Sequence, residues 1–133
     1  MRPLNGIEAS VVRWFAEHVP EPQRHSLLQD LENAVAETTN NEQLTIRFEI
    51  GGYSRPEHHL ERPLPLDTVV LDADGAKLDV TLATDKNGRL LELQILRFER
   101  GPVIGPDWQT LRLRRPDEVM KLNGPENPQP IKP

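Results

Sequence analysis

The chain has 133 residues, 36% of them hydrophobic and 28% charged, with thirteen prolines, no cysteine and a formal charge of −5. That length suits one compact domain whose core is leucine, valine and isoleucine, because aromatics make up only 5%. The lack of cysteine excludes disulfides, thiolate metal sites, iron–sulfur clusters and a catalytic thiol, and the acidic balance disfavours binding to nucleic acid.

Asn5 followed by Glu8 has the spacing of a capping box, and Ile7, Val11, Val12, Trp14, Phe15 and Val19 recur at helical intervals. A first helix is therefore predicted from there to about His18, where Pro20 and Pro22 stop it. Pro22 suits the first turn of a second helix, which the spacing of Leu27, Leu28, Leu31, Ala34 and Val35 carries to about Glu37. Thr38-Thr39-Asn40-Asn41 then reads as a connecting loop.

From Leu44 the period changes to two, with Leu44, Ile46, Phe48 and Ile50 on one face, so a strand is predicted. Tyr53 to Pro65 shows no period and is expected to be a long loop. Three further strands follow over Thr68–Ala73, Lys77–Thr84 and Arg89–Phe98, joined at Asp74-Gly75 and Asn87-Gly88, pairs that favour two-residue turns. Leu96 and Phe98 break the inward parity of Leu91, Leu93 and Ile95, which calls for a bulge near Ile95 or a second covered face. Gly101 to Pro106 is expected to be a loop presenting Trp108, and Leu111 and Leu113 a short edge strand. Pro116-Asp117-Glu118 opens a short helix, and GPENPQPIKP closes the chain as an extended or disordered tail. The prediction is an α+β fold: two N-terminal helices on a four- to five-stranded antiparallel meander with a short C-terminal helix. Residues 1–122 form the domain and 123–133 the tail.

Asp72-Ala-Asp74-Gly and Asp85-Lys-Asn87-Gly carry the acid, acid-or-amide and glycine order of calcium loops. They lack the remaining ligands, and hairpin turns account for them. His58, His59, Glu57 and Glu61 form the densest group of metal-type side chains, without a recurrent ligand spacing. No serine elbow and no glycine-rich phosphate loop occurs. Arg112, Arg114 and Arg115 are too local for a nucleic-acid stripe. Asp79 and Glu92, with Asp72, are expected to make an acidic patch on the exposed sheet face, and Tyr53 and Trp108 are aromatics on proline-stiffened loops, the residue types that anchor protein interfaces. The opening MRPLNGIEAS reads as neither signal peptide nor anchor, and no apolar run reaches a membrane span, so a cytoplasmic location is expected.

The Arg2-Pro3-Leu4 opening and the run DADGAKLDVTLATDKNGRLLELQILRFERGPVIG resemble a family of small, uncharacterised bacterial proteins with an Arg-Pro-Leu start and an Asp-Gly/Asn-Gly meander. The resemblance brings no catalytic residue with it. In general character the chain is also similar to immunity proteins of bacterial toxin systems, which implies a basic toxin domain as partner. The leading expectation is a non-enzymatic binding protein without cofactor, its binding residues Asp72, Asp79, Glu92, Trp108 and Tyr53. Two alternatives stand beside it: a small hydrolase or metal-dependent enzyme built on His58, His59 and Glu61, and a homo-oligomeric structural subunit pairing through the Leu111 edge.

Overall fold

A computed structural model describes residues 1–40, 43–57 and 61–115. Two helices, α1 (Gly6–Glu17) and α2 (Gln23–Leu31), precede most of an eight-stranded sheet, so the α+β class holds. The strands are β1 (Arg2–Pro3), β2 (Ala34–Asn40), β3 (Leu44–Ile50), β4 (Arg62–Pro63), β5 (Thr68–Leu71), β6 (Lys77–Thr84), β7 (Leu90–Arg97) and β8 (Asp107–Leu113). Their order is β1-β2-β3-β7-β6-β5-β8, with β4 beside β6, and every pairing is antiparallel. β4 and β5 share one edge of β6, opposite Ala83–Thr84 and Lys77–Val80 respectively.

The capping box forms as the sequence predicts. The Asn5 side chain accepts from the Glu8 amide at 2.8 Å, and the Glu8 carboxylate accepts from the Asn5 amide at 3.0 Å. Arg2 then grips Glu8 at 2.6 and 2.8 Å and donates to Thr38 at 2.7 Å, which fixes the start of α1 against β2. Arg2 holds the Glu8 carboxyl below its ordinary range. Val11, Val12, Phe15 and Ala16 of α1 and Leu27 of α2 cover one face of the sheet. That face presents Ala36, Ile46, Phe48, Ile50, Val70, Leu78, Val80, Leu82, Leu90, Leu93 and Ile95, and Leu64 and Val103 close its margins.

The structure departs from the predicted elements in five places. α2 ends at Leu31, and Ala34 to Asn40, predicted as helix and then loop, form β2. Val35, Thr38 and Thr39 are β-branched, and pairing with all of β3 outweighs the helical spacing of Ala34 and Val35. Both turns are three-residue loops: Asp72 accepts from Gly75 and donates to Ala76, and Asp85 accepts from Gly88 and donates to Arg89. Each glycine has positive φ, +88° at Gly75 and +77° at Gly88, as a type I turn with a glycine bulge requires. The bulge in β7 falls at Leu91, because Ala83 faces Glu92 while Thr84 faces Leu90. Trp108 lies on β8 itself, since the edge strand begins at Asp107 and adds four residues before Leu111. The sheet has eight strands, not four or five, because β2 and the two-residue strands β1 and β4 join it and β8 is longer. The helix predicted at Pro116 and the proline-rich tail lie outside the described residues.

Phe48 of β3 is fully buried in the core between the helices and the sheet. Phe48→Ala is expected to lower stability by about 3–5 kcal/mol. A Cβ at Gly88 would meet nothing within 4 Å, so Gly88→Ala bears only the backbone cost of its positive φ, about 1 kcal/mol. Urea unfolding of both variants checks the ordering.

Candidate functional site

The acids of the two turns are engaged in the structure. The Asp72 carboxylate accepts from the amides of Ala73, Ile104 and Gly105 and from Arg97 at 2.7 Å, and Arg97 also holds Asp74 at 2.7 Å. Burial alone would push the Asp72 carboxyl up, but these donors outweigh it and hold it below its ordinary value. The Arg97 guanidinium pulls Asp74 down to about 2. The loop before β8 is thereby tied to the β5–β6 turn.

The second turn is the hub of a larger network. Asp85 accepts from the amides of Asn87 and Arg89, from the Tyr53 hydroxyl at 2.6 Å and from Arg55 at 2.9 Å. Arg55 also donates to the carbonyls of Phe48 and Leu90, at 2.9 and 3.0 Å. Pairing of β3 with β7 stops at Arg47 and Glu92, and the bulge at Leu91 follows, so the guanidinium takes the place of the missing ladder. The Arg89 guanidinium lies 4.2 Å from the Tyr53 ring centre and bonds Asp30 at 2.7 Å, and Asp30 accepts from the Leu90 amide. A carboxylate in the last turn of α2 opposes the helix dipole, and these donors supply what the helix does not. Burial would raise the Asp85 carboxyl, yet Tyr53 and the turn amides leave it lowered.

The five residues expected to bind a partner therefore do not form one surface. Asp72 is buried in the β5–β6 turn, and Tyr53 is held in the Asp85 network. Asp79 and Glu92 do lie on the sheet face away from the helices. Asp79 bonds Arg114 at 3.0 Å, and burial raises its carboxyl against that pull. Arg114 turns inward to Asp67, the Thr68 carbonyl and Asp79, so the arginine group at the end of β8 does not form a common basic surface. Glu92 is buried beside Arg47, Gln94 and Glu61. The neighbouring Glu92 carboxyl, with burial beside it, raises the Glu61 carboxyl above its ordinary value. His58 and His59 lie outside the described residues, and among those described no group of three or more potential ligands is placed to hold a metal.

Trp108 belongs to a different surface. An open, mostly apolar groove of about 770 Å³ runs between α1 and β8, lined by Asn5, Gly6, Ile7, Ser10, Val11 and Trp14 on one wall and Trp108, Gln109 and Leu111 on the other. Since α1 also touches β2 through Arg2 and Glu8, the sheet curls around the helix and brings β8 to its free side. Trp14 is set by Phe15, edge-on at 5.3 Å between ring centres, and by the His18 ring at 4.0 Å. Ile7 is 55% exposed, although its spacing places it with the core stripe. The groove was missed in the sequence because Ile7, Val11 and Trp14 read as one buried face. The signal for it was an apolar arc on α1 wider than two helices on one sheet need.

A family model described as a domain of unknown function (DUF6984) matches residues 1–106, ending one residue before β8. Searches of curated proteins and of solved structures find no match to this chain.

Arg55→Ala is expected to cost about 3–5 kcal/mol, because it leaves the Asp85 carboxylate and two carbonyls without their donor. Glu8, Asp72 and Asp85 are all lowered in the folded chain, so their stabilisation is complete above pH about 4 and is lost as pH falls through their folded values. Glu61 has the opposite sign, and its penalty develops as pH rises past about 4.5. Unfolding free energy measured across pH 2–7 should drop steeply below about pH 4. Asp85→Asn should lower the plateau and flatten that acid limb.

Proposed function

Because the chain belongs to the DUF6984 family, whose function is unknown, we propose its role from its own surface: a non-enzymatic domain that binds another protein through the groove between α1 and β8. The observation that carries this reading is the pairing of Trp14 with Trp108 across an open apolar groove, with exposed Ile7 at its rim. Tryptophan is a favoured anchor of protein interfaces, and one held by Phe15 and His18 loses little side-chain freedom on binding. Neutralising a toxin domain is the specific form of this reading in which the partner is basic. Its electrostatic part then falls to Asp79 and Glu61 on the sheet face away from the helices, since Asp72 is buried under Arg97 and Glu92 beside Arg47.

A second reading has one observation in its favour. Glu61 stands two residues after His59, and its contact with Glu92 together with burial raises its carboxyl, as suits a general acid or a ligand of a metal-dependent hydrolase. Zinc or nickel retained in stoichiometric amount by the purified chain, and lost with Glu61→Gln, would support it over the binding role.

Affinity capture with the tagged chain, repeated with Trp108→Ala and with Asp79 and Glu61 reversed to lysine, tests the binding reading. Loss of one partner by about 30-fold or more with Trp108→Ala assigns the groove. Loss only with the reversals moves the site to the sheet face, and a partner unaffected by any of the three variants rejects both surfaces.

A further inference from the structure

We infer that Asn87, in the β6–β7 turn, is a site of spontaneous deamidation, and that the carboxylate it becomes loosens the cluster around Tyr53 and Asp85. The site shares no residue with the groove and stands apart from the binding reading. Asn-Gly pairs occur at Asn5, Asn87 and Asn123, the last outside the described residues. In such a pair the backbone nitrogen of the glycine attacks the side-chain carbonyl carbon of the asparagine. A C–N bond forms, the bond to Nδ2 breaks, and ammonia leaves with the proton of the glycine amide. Water then opens the cyclic imide at either carbonyl and gives aspartate or isoaspartate, with no change of oxidation state. Glycine favours the attack because no Cβ shields its nitrogen.

The structure separates the two described pairs. Asn5 is held: its Oδ1 accepts from the Glu8 amide at 2.8 Å, and Arg2 fixes Glu8 in turn. Its side chain reaches Gly6 only by breaking the cap of α1. Asn87 is exposed, and its side-chain amide donates to the Tyr53 hydroxyl at 3.2 Å. Gly88 has positive φ and open space where a Cβ would stand. Its amide donates to the Asp85 carbonyl at 2.9 Å, so opening that turn bond frees the nucleophile.

The other turn of the meander shows what the product meets. Asp74 and Asn87 occupy the same position in turns of the same pattern, Asp72-Ala73-Asp74-Gly75 and Asp85-Lys86-Asn87-Gly88. The first acid of each turn takes a guanidinium, Asp72 from Arg97 at 2.7 Å and Asp85 from Arg55 at 2.9 Å. Arg97 reaches Asp74 as well, at 2.7 Å, so a second carboxylate is matched there. Arg55 instead turns to the carbonyls of Phe48 and Leu90, and Arg89 to Asp30. A carboxylate at position 87 therefore meets no counterpart of Arg97 among the described residues. It faces Asp85 across a Tyr53 hydroxyl whose one proton already goes to Asp85 at 2.6 Å, and the donor that Asn87 offered is gone. The isoaspartate form also adds a methylene to the turn backbone, which breaks the spacing at which Asp85 pairs with Arg89.

The full chain is held in mildly alkaline buffer and digested, and conversion at Asn5 and Asn87 is followed by mass spectrometry. The free peptide DKNGR, the sequence of Asp85 to Arg89, sets the unrestrained rate. Conversion at Asn87 is expected to be several-fold faster than at Asn5, and faster again in Tyr53→Phe, which removes the hydroxyl that holds the amide. Asn87 converting no faster than Asn5, over a time in which the peptide converts, would overturn the assignment. The consequence is read from Asn87→Asp, whose urea midpoint is expected to fall below that of the native chain. The same substitution should lower the midpoint less in a Tyr53→Phe background, because the bond it disrupts is already absent there. An unchanged midpoint in Asn87→Asp, or an equal fall in both backgrounds, would overturn the loosening of the cluster.

Discussion

Arg55 compensates for the break in the ladder between β3 and β7. β3 and β7 are the joint between the two halves of the sheet, and their ladder ends where the bulge at Leu91 shifts the register. Two strand carbonyls would be left there without partners in the interior. A guanidinium has enough donors in a fixed plane to serve both carbonyls and the Asp85 carboxylate together. Its Nε finds no hydrogen-bond partner among the described residues, a cost that the other three bonds outweigh. The same carboxylate orders the β6–β7 turn, and Tyr53 and Arg89 extend the network to Asp30 on α2. Helix, turn, loop and both halves of the sheet therefore meet at one polar cluster.

Much of the architecture was legible because local chemistry and burial agree. The capping box at Asn5 and Glu8, the alternation of Leu44 to Ile50, and the meander joined at Asp74-Gly75 and Asn87-Gly88 are short-range signals that the tertiary structure does not contradict. β2 was not legible. Ala34 and Val35 continue a helical spacing, and only the presence of β3 as a partner decides for strand. The two-residue strands at Arg2 and Arg62 carry no periodic signal at all, and exist because neighbouring strands offer an open edge. The turn type was misjudged because Asx-Gly suits both loop lengths. The extra residue became visible only through the pairs Asp72 with Ala76 and Asp85 with Arg89.

The candidate site shows the same division. Trp108 was legible as an interface aromatic from its residue type, but its partner wall was not, since Trp14 is 94 positions away in sequence and joins it only through the curl of the sheet. Charge counting placed Asp72, Asp79 and Glu92 on one acidic patch, whereas the structure matches Asp72 to Arg97 and Asp79 to Arg114. Which arginine reaches which carboxylate depends on register and burial, neither of which composition contains.

The joint between β3 and β7 also sets the order in which the chain can fold. Its residues pair across about 50 positions, Leu44 with Ile95, whereas the β2–β3 and β5–β6–β7 hairpins pair across short loops. Closing the long loop costs entropy before any contact offsets it, so the hairpins form early and their docking limits the rate. Arg55 reaches its two carbonyls only after that docking has occurred. Its contribution therefore falls after the transition state, where it slows unfolding and prolongs the lifetime of the native chain without speeding its formation.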